Sequence, residues 1–240
     1  MAANQDTFAR LQQDILLLQG FKPASNNVTN WHGLEQIKTA FPNNIFPTGA
    51  IHEFFCTGQE TVSASAGFIS GILSSLLTQQ GAIIWISTGK MIYPPSLKAF
   101  GVNPEKVIFI HLKNEKEKLF AMEEALKCDA VTAVVGQLNE ISLIESRRFQ
   151  LAVEHSKVTG FLLRQNPRNQ MTSCVTRWQI TPMPGEGNDG LPGLGFPKWD
   201  VQLLKVRNGK QGRWEIQWQS GKFVVTPKYN FERELVRKIV

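Results

Sequence analysis

Between residues 50 and 164, short apolar runs alternate with longer stretches of helical period. The runs at 51–55, 83–87, 106–110, 131–135 and 159–164 are rich in Ile, Val and Phe and predict strands. Residues 63–78, 95–100, 115–127 and 142–157, which lie between them, predict helices. Phe68, Ile69, Ile72, Leu73 and Leu76 form an apolar stripe on the first of the long helices. Strands apolar on both faces and separated by helices imply a mostly parallel sheet covered on two sides, an α/β core.

The flanks have a different period. Phe8, Leu11, Ile15 and Leu18 predict a helix over 7–20, stopped by Gly20 and followed by an Asn- and Ser-rich stretch at 23–29. A short helix is expected at 34–40, before a turn-rich stretch at 42–49. Residues 1–44 thus form a helix and linker arm ahead of a core at 45–165. Beyond Arg164 the period falls to two, because Cys174, Thr176, Trp178 and Ile180 alternate with Val175, Arg177, Gln179 and Thr181. A Gly- and Pro-rich loop at 182–197 leads to a hairpin, 199–207 and 213–219, around Asn208-Gly209, with Trp214, Ile216 and Trp218 on one face. Residues 166–226 are therefore expected to extend the same domain in antiparallel fashion, leaving a tail at 227–240. Leu235, Val236 and Ile239 give that tail an amphipathic pattern. For both terminal helices, docking to a partner and packing on the domain itself remain open.

Composition narrows the class. The 240 residues are 42% hydrophobic and 19% charged, ordinary for one main globular domain. The first 20 residues have no basic region ahead of an apolar run, so neither export nor membrane insertion is expected. Cys56, Cys128 and Cys174 lack a C-x-x-C spacing, and His32, His52, His111 and His155 lack metal-ligand spacing. Buried thiols in a reducing cytosol and no metal site follow as expectations. Charge is uneven: residues 164–240 hold 13 Lys/Arg against 6 Asp/Glu, whereas residues 1–163 hold 13 against 14. The positive excess in the last third fits an acidic partner such as nucleic acid, or a solvated basic surface.

The end of the first strand has the layout of a phosphate site without its chemistry. A working phosphate loop needs glycines, a Lys for the β/γ oxygens and a hydroxyl for Mg²⁺. Cys56 is followed by Thr57, Gly58, Gln59, Glu60, Thr61, Val62 and Ser63, with one glycine, no lysine and an unneutralised carboxylate. Strand 131–135 is followed by Gly136-Gln137, where a magnesium-binding Asp would be expected. Strand 83–87 is followed by Thr88-Gly89-Lys90, with no carboxylate to activate water. No G-x-S-x-G or H-E-x-x-H motif is present, and the run Gly185-Glu-Gly187-Asn-Asp-Gly190 falls within the Gly/Pro loop rather than between a strand and a helix. His52 and Glu53 are strand neighbours and point to opposite faces, which disfavours an acid/base pair.

The ordered set Phe46-Pro-Thr-Gly-Ala-Ile-His-Glu53, Trp85-Ile-Ser87, Pro95-Ser-Leu-Lys-Ala-Phe-Gly-Val102, Ser146-Arg-Arg-Phe-Gln-Leu-Ala152, Thr159-Gly-Phe-Leu-Leu-Arg164, Thr176-Arg-Trp-Gln-Ile180, Phe196-Pro-Lys-Trp-Asp-Val-Gln-Leu-Leu-Lys-Val-Arg207 and Gly212-Arg-Trp-Glu-Ile-Gln-Trp218 resembles the bacterial ImuA family, over residues 34–223. The resemblance implies a RecA-like three-layer core with a mostly parallel central sheet and a C-terminal antiparallel β extension. It also implies membership of an SOS-induced mutagenesis cassette, beside a polymerase-like protein of ImuB type and, through it, an error-prone DNA polymerase. Against the RecA pattern Thr61-Val62-Ser63 takes the place of Gly-Lys-Thr, so Val62 replaces the lysine. Gly136 replaces the magnesium-binding Asp, and Gly89 the catalytic Glu. The loops expected to grip DNA, 136–141 and 166–172, are too short for that role, and filament formation is not expected.

The reading that follows is a non-catalytic cytoplasmic adaptor, associated with the nucleoid, in error-prone translesion synthesis, without a cofactor. RecA and single-stranded DNA are further candidate partners. Arg147, Arg148, Arg164, Arg168, Lys205, Arg207, Lys210 and Arg213, several near Trp199 and Trp214, are candidates for contact with DNA or a partner protein. Core packing is the expectation for Trp178 and Trp218. Two rivals stand beside this reading: a DNA-dependent ATPase that remodels recombination intermediates, and an independent single-stranded DNA-binding protein.

Overall fold

The computed structural model describes Leu11 and residues 34–77, 81–89, 92–165, 171–185 and 195–226. The helix expected at 7–20 (apart from Leu11), the arm at 23–29, much of the Gly/Pro loop, the tail at 227–240, Lys90 and Arg168 lie outside the described residues.

After a short helix α1 (Glu35–Lys38), the elements are β1 (Ile51–Cys56), α2 (Gln59–Leu76), β2 (Ala82–Ser87), β3 (Val107–His111), α3 (Glu115–Lys127), β4 (Val131–Leu138), α4 (Leu143–Ser156) and β5 (Thr159–Gln165). Four strands follow: β6 (Thr176–Met183), β7 (Lys198–Val206), β8 (Gly212–Gln219) and β9 (Lys222–Thr226). A 3-10 segment, Pro94–Phe100, precedes β3 and closes on Gly101 in the left-handed region. All nine strands form one sheet in the order β3-β2-β4-β5-β1-β6-β7-β8-β9.

Two apolar cores lie on opposite faces of this sheet. On one, Phe68, Ile69, Ile72 and Leu73 of α2 pack with Phe54, Phe161, Trp178, Trp199, Ile216, Trp218 and Phe223. On the other, Met122 and Leu126 of α3 and Phe149 and Val153 of α4 pack with Ile51, Val134 and Leu162. Close approach of α2 to the far strands depends on a residue without a side chain, since a Cβ on Gly71 would lie 2.4 Å from the Phe223 ring and 2.9 Å from that of Trp218. Helices α3 and α4 begin where side chains can cap them. Asn114 accepts from Lys116 N (2.9 Å) ahead of α3. Ser142 and Glu145 form a reciprocal box at the start of α4, with Ser142 Oγ accepting from Glu145 N and Glu145 Oε2 accepting from Ser142 N.

Several boundaries differ from those the sequence predicts. The first long helix starts at Gln59 rather than 63, so Gln59, Glu60, Thr61, Val62 and Ser63 are helical. β4 runs on to Leu138, which places Gly136 and Gln137 inside the strand. β6 pairs parallel with β1, and antiparallel pairing begins only between β6 and β7. A parallel return from β5 to β6 spans just residues 166–175, where such crossovers usually need a dozen residues or more. Ten extended residues reach about 33 Å, enough to run back along the sheet. The strand β9 was not anticipated. It follows a two-residue turn, Ser220-Gly221, with positive φ at both positions (53° and 74°), the geometry of a type I′ hairpin. Cys56 and Cys174 are buried as expected, but Cys128 is exposed just beyond the end of α3. Trp178 and Trp218 are core residues.

Candidate functional site

The β1–α2 junction is reduced to Thr57 and Gly58. The Thr61 hydroxyl folds back onto Gly58, accepting from its N–H (3.1 Å) and donating to its carbonyl (2.8 Å). This N–H, which in a phosphate loop would be available to an anion, is thus satisfied internally. Val62, in the lysine's place, is 1% exposed and points into the core beside Phe54 and Phe68. A cleft of about 600 Å³ opens here, lined by Gln59, Glu60, Ser63, Ala64, Met183, Phe196, Pro197, Lys198 and Trp199. Of its two charged side chains, Glu60 is an exposed carboxylate, and Lys198 lies 3.7 Å from Glu215. That balance does not favour a triphosphate.

The neighbouring strand ends carry different residues from those of an ATPase site. At Gly136 an ideal Cβ would meet Met122 Sδ at 2.5 Å, so the glycine lets Met122 of α3 seat against β4, and an Asp there would displace that side chain. The next residue, Gln137, accepts from Thr88 N and ties the end of β4 to that of β2. Gly89 has open space where a Cβ would stand, and its carbonyl accepts from Ser87 Oγ (2.8 Å). Below it the buried Lys118 ammonium donates to Thr88 Oγ1 (3.0 Å) and pairs with Glu115 (2.7 Å). Among the described residues no group of three or more His, Cys, Asp or Glu is placed to hold a metal.

Glu53 and His52 do face opposite ways, and each is fully buried. Glu53 lies at the centre of a polar cluster that the sequence reading missed. Its carboxylate accepts from Arg164 Nη1, from Thr172 Oγ1 (2.8 Å) and from Arg177 Nε (3.1 Å). The guanidinium groups of Arg164 and Arg177 also lie 5.4 and 4.6 Å from the centroid of the Phe55 ring. A signal for this cluster was present: Glu53 and Arg164 each interrupt an otherwise apolar central strand, and buried charges in such strands require a partner.

Several of the basic candidates are consequently committed to the fold. Arg164 is 0% exposed and cannot reach DNA or a partner, because it neutralises Glu53 inside the sheet. Lys205 Nζ donates to Thr172 O (2.9 Å) and Arg207 Nη2 to Ser173 O (2.7 Å), which pins the return segment leading to β6. Desolvation, with help from Arg177 and Arg207, lowers the Lys205 pKa. Arg213 is exposed but forms a two-pronged pair with Asp200, both contacts at 2.8 Å. Trp199 is buried against Phe68 and Phe100, so no basic and aromatic stripe runs over it. Arg147, Arg148 and Lys210 stand exposed, and Arg148 pairs with Glu123 across the α3–α4 gap. Arg168 lies outside the described residues.

Comparison with known proteins follows the same lines. No protein-family model matches the chain. Protein ImuA of two strains of Caulobacter vibrioides, NA1000 / CB15N and ATCC 19089 / CB 15, is 30% identical to it over 200 residues, covering 78% of this chain and 82% of the relative. Among solved structures, the RadB recombinase superposes with a TM-score of 0.52 at 13% identity, over 75% of this chain and 92% of that one. At that identity the likeness concerns the fold, which is RecA-like. Among the described residues no helix is long and apolar enough to cross a membrane.

Proposed function

Since this chain belongs to the ImuA family, we propose that it acts in error-prone translesion DNA synthesis as a non-catalytic RecA-like adaptor, holding a polymerase-like partner of ImuB type. The observation that carries this reading is the β1–α2 junction. Only two residues separate strand from helix, and the position of the phosphate-binding lysine is a buried valine. A triphosphate would find the Gly58 amide already taken and no lysine at the phosphate-loop position, so the charge that builds up during phosphoryl transfer lacks its usual counterpart. The Met122 seat at Gly136 supports the same reading, because a magnesium-binding Asp would displace it.

Two measurements test it. Calorimetric titration with ATP and Mg²⁺ is expected to give no binding at micromolar concentrations. Micromolar binding, or hydrolysis stimulated by DNA, would establish the ATPase reading instead. Co-expression with the ImuB-type protein of the same cassette is expected to give a complex stable through purification, and its absence would end the adaptor reading.

A further inference from the structure

The outer face of α3 and α4 carries four large apolar side chains in the open: Phe120 (68% exposed), Leu143 (52%), Ile144 (75%) and Leu151 (42%). Single exposed apolar residues are normal on any protein, but a group on one face marks an interaction site. The two helices lie side by side with their starts adjacent, since Glu115 Oε1 accepts from Asn139 N (2.7 Å), three residues ahead of the Ser142 cap, and Glu123 pairs with Arg148. Phe120, one turn before Glu123, is thereby set opposite Ile144, one turn before Arg148.

On α4 the spacing is that of a helix with two working stripes. Phe149 and Val153 face inward to the core. Ile144, Arg148, Leu151 and His155, at i, i+4, i+7 and i+11, form a second stripe facing outward. One apolar stripe suffices to seat a helix on its own sheet, so the second is surplus to the fold.

The charge beside the stripe selects the occupant. Arg147 and Arg148 are both exposed, and Arg147 has no ion pair among the described residues. Between Glu145, whose carboxylate is taken up by the Ser142 cap, and Glu154, α4 has no acid. A segment lying along α4 therefore meets apolar side chains edged on the outer side by Arg147, while Glu123 takes up Arg148 and Glu117 and Glu124 flank Phe120 on α3. The chain's own residues 227–240 carry four Lys/Arg against two Glu and complement this edge poorly. Nucleic acid would use the arginines and leave the four apolar groups without a function.

We propose that the outer face of α3 and α4 is a docking surface for an amphipathic helix of a partner protein, apolar along one stripe and acidic along its flank. The proposal rests on the adaptor reading above and names the face that serves it.

The test uses the full chain and the ImuB-type protein of the same cassette, with affinity measured for wild type, Ile144→Glu, Phe120→Ser and Arg147→Glu. These side chains are exposed, so thermal melts should match the wild type. Ile144→Glu and Phe120→Ser should each weaken the complex about tenfold or more, and Arg147→Glu should weaken it and flatten its salt dependence. If wild type binds the partner and the variants bind equally well, the docking face is wrong while the adaptor reading stands. A wild type that forms no complex removes both. A dimer of the chain alone that Ile144→Glu converts to monomer would assign the face to a second copy and overturn the proposal. Binding of a single-stranded oligonucleotide that is lost in Arg147→Glu and kept in Ile144→Glu would overturn it in favour of nucleic acid.

Discussion

His52 shows how completely a buried polar residue is specified by its neighbours. Its ring lies between Phe46 and Phe161, 4.5 and 5.3 Å between centroids. The hydrogen bonds around it allow one consistent assignment: Trp178 Nε1 donates to Thr176 Oγ1 (2.7 Å), Thr176 donates to His52 Nδ1 (2.7 Å), and His52 Nε2 donates to Pro47 O (2.8 Å). Desolvation pulls the His52 pKa down to about 3, against a smaller upward effect of the Pro47 carbonyl. Below pH 6.5 an unfolded chain therefore takes up a proton that the native imidazole refuses, and stability falls with pH. Between pH 6.5 and 5 the loss should be about 1.5 kcal/mol, read from urea midpoints, with no contribution from this residue above pH 7. His52→Gln should be less stable overall and should lack that part of the slope.

The cluster around Glu53 makes a second prediction at this scale. Glu53→Gln leaves the Arg164 charge buried without its counter-ion, and should cost about 3–5 kcal/mol in denaturant unfolding. Replacing both, Glu53→Gln with Arg164→Met, should recover part of that loss, because the fully buried Arg164 charge is removed together with its counter-ion while Arg177 still loses its contact with Glu53. A double variant as unstable as the sum of the singles would show that the two side chains act separately.

Among the elements, the β1–α2 junction departs furthest from expectation. The polar residues Gln59, Glu60 and Thr61 read as a loop, yet they are the solvent-facing first turn of an amphipathic helix, with an acidic residue near its positive end. A polar loop and a polar first turn look alike along a single chain. The consequence is testable with Val62→Lys. The restored lysine would be placed in the core beside Phe68 rather than at the mouth of the cleft. It should lower stability on the order of several kcal/mol by thermal or urea unfolding and produce no ATP binding in calorimetry. ATP affinity gained by this single change would mean that the site is one residue from function. The end of β4 was misread for a similar reason. Gly136 looked like a strand terminator, and it is instead the place where Met122 of α3 rests on the strand.

For the whole molecule, β6 joins the two halves of the sheet, parallel to β1 on one side and antiparallel to β7 on the other. A single core on the α2 face runs without interruption from Ile83 to Phe223. Scanning calorimetry should accordingly show one cooperative transition, and two separated transitions would mean that β6–β9 is an independent unit. A chain ending at Gln165 should fail to fold, since it loses Trp178, Trp199, Trp218 and Phe223 from beneath α2.

The α/β alternation, the order of the elements and the valine at the phosphate-loop lysine's position could all be read along the chain, because they depend on local period and on residue identity. The helix at Glu115–Lys127 and the hairpin around Asn208-Gly209 emerged close to expectation for this reason. Contacts between segments distant in sequence could not be read that way. Arg164, Lys205 and Arg207 look alike as basic residues, and only the fold turns the first onto Glu53 and the other two onto the backbone of Thr172 and Ser173. The parallel direction of β6 is likewise set by where those anchors hold the return segment, and the surplus apolar stripe of α4 becomes visible only once Phe149 and Val153 have been seen to fill the core. Burial and pairing are properties of three-dimensional neighbours, and a chain read in one dimension contains only the candidates for them.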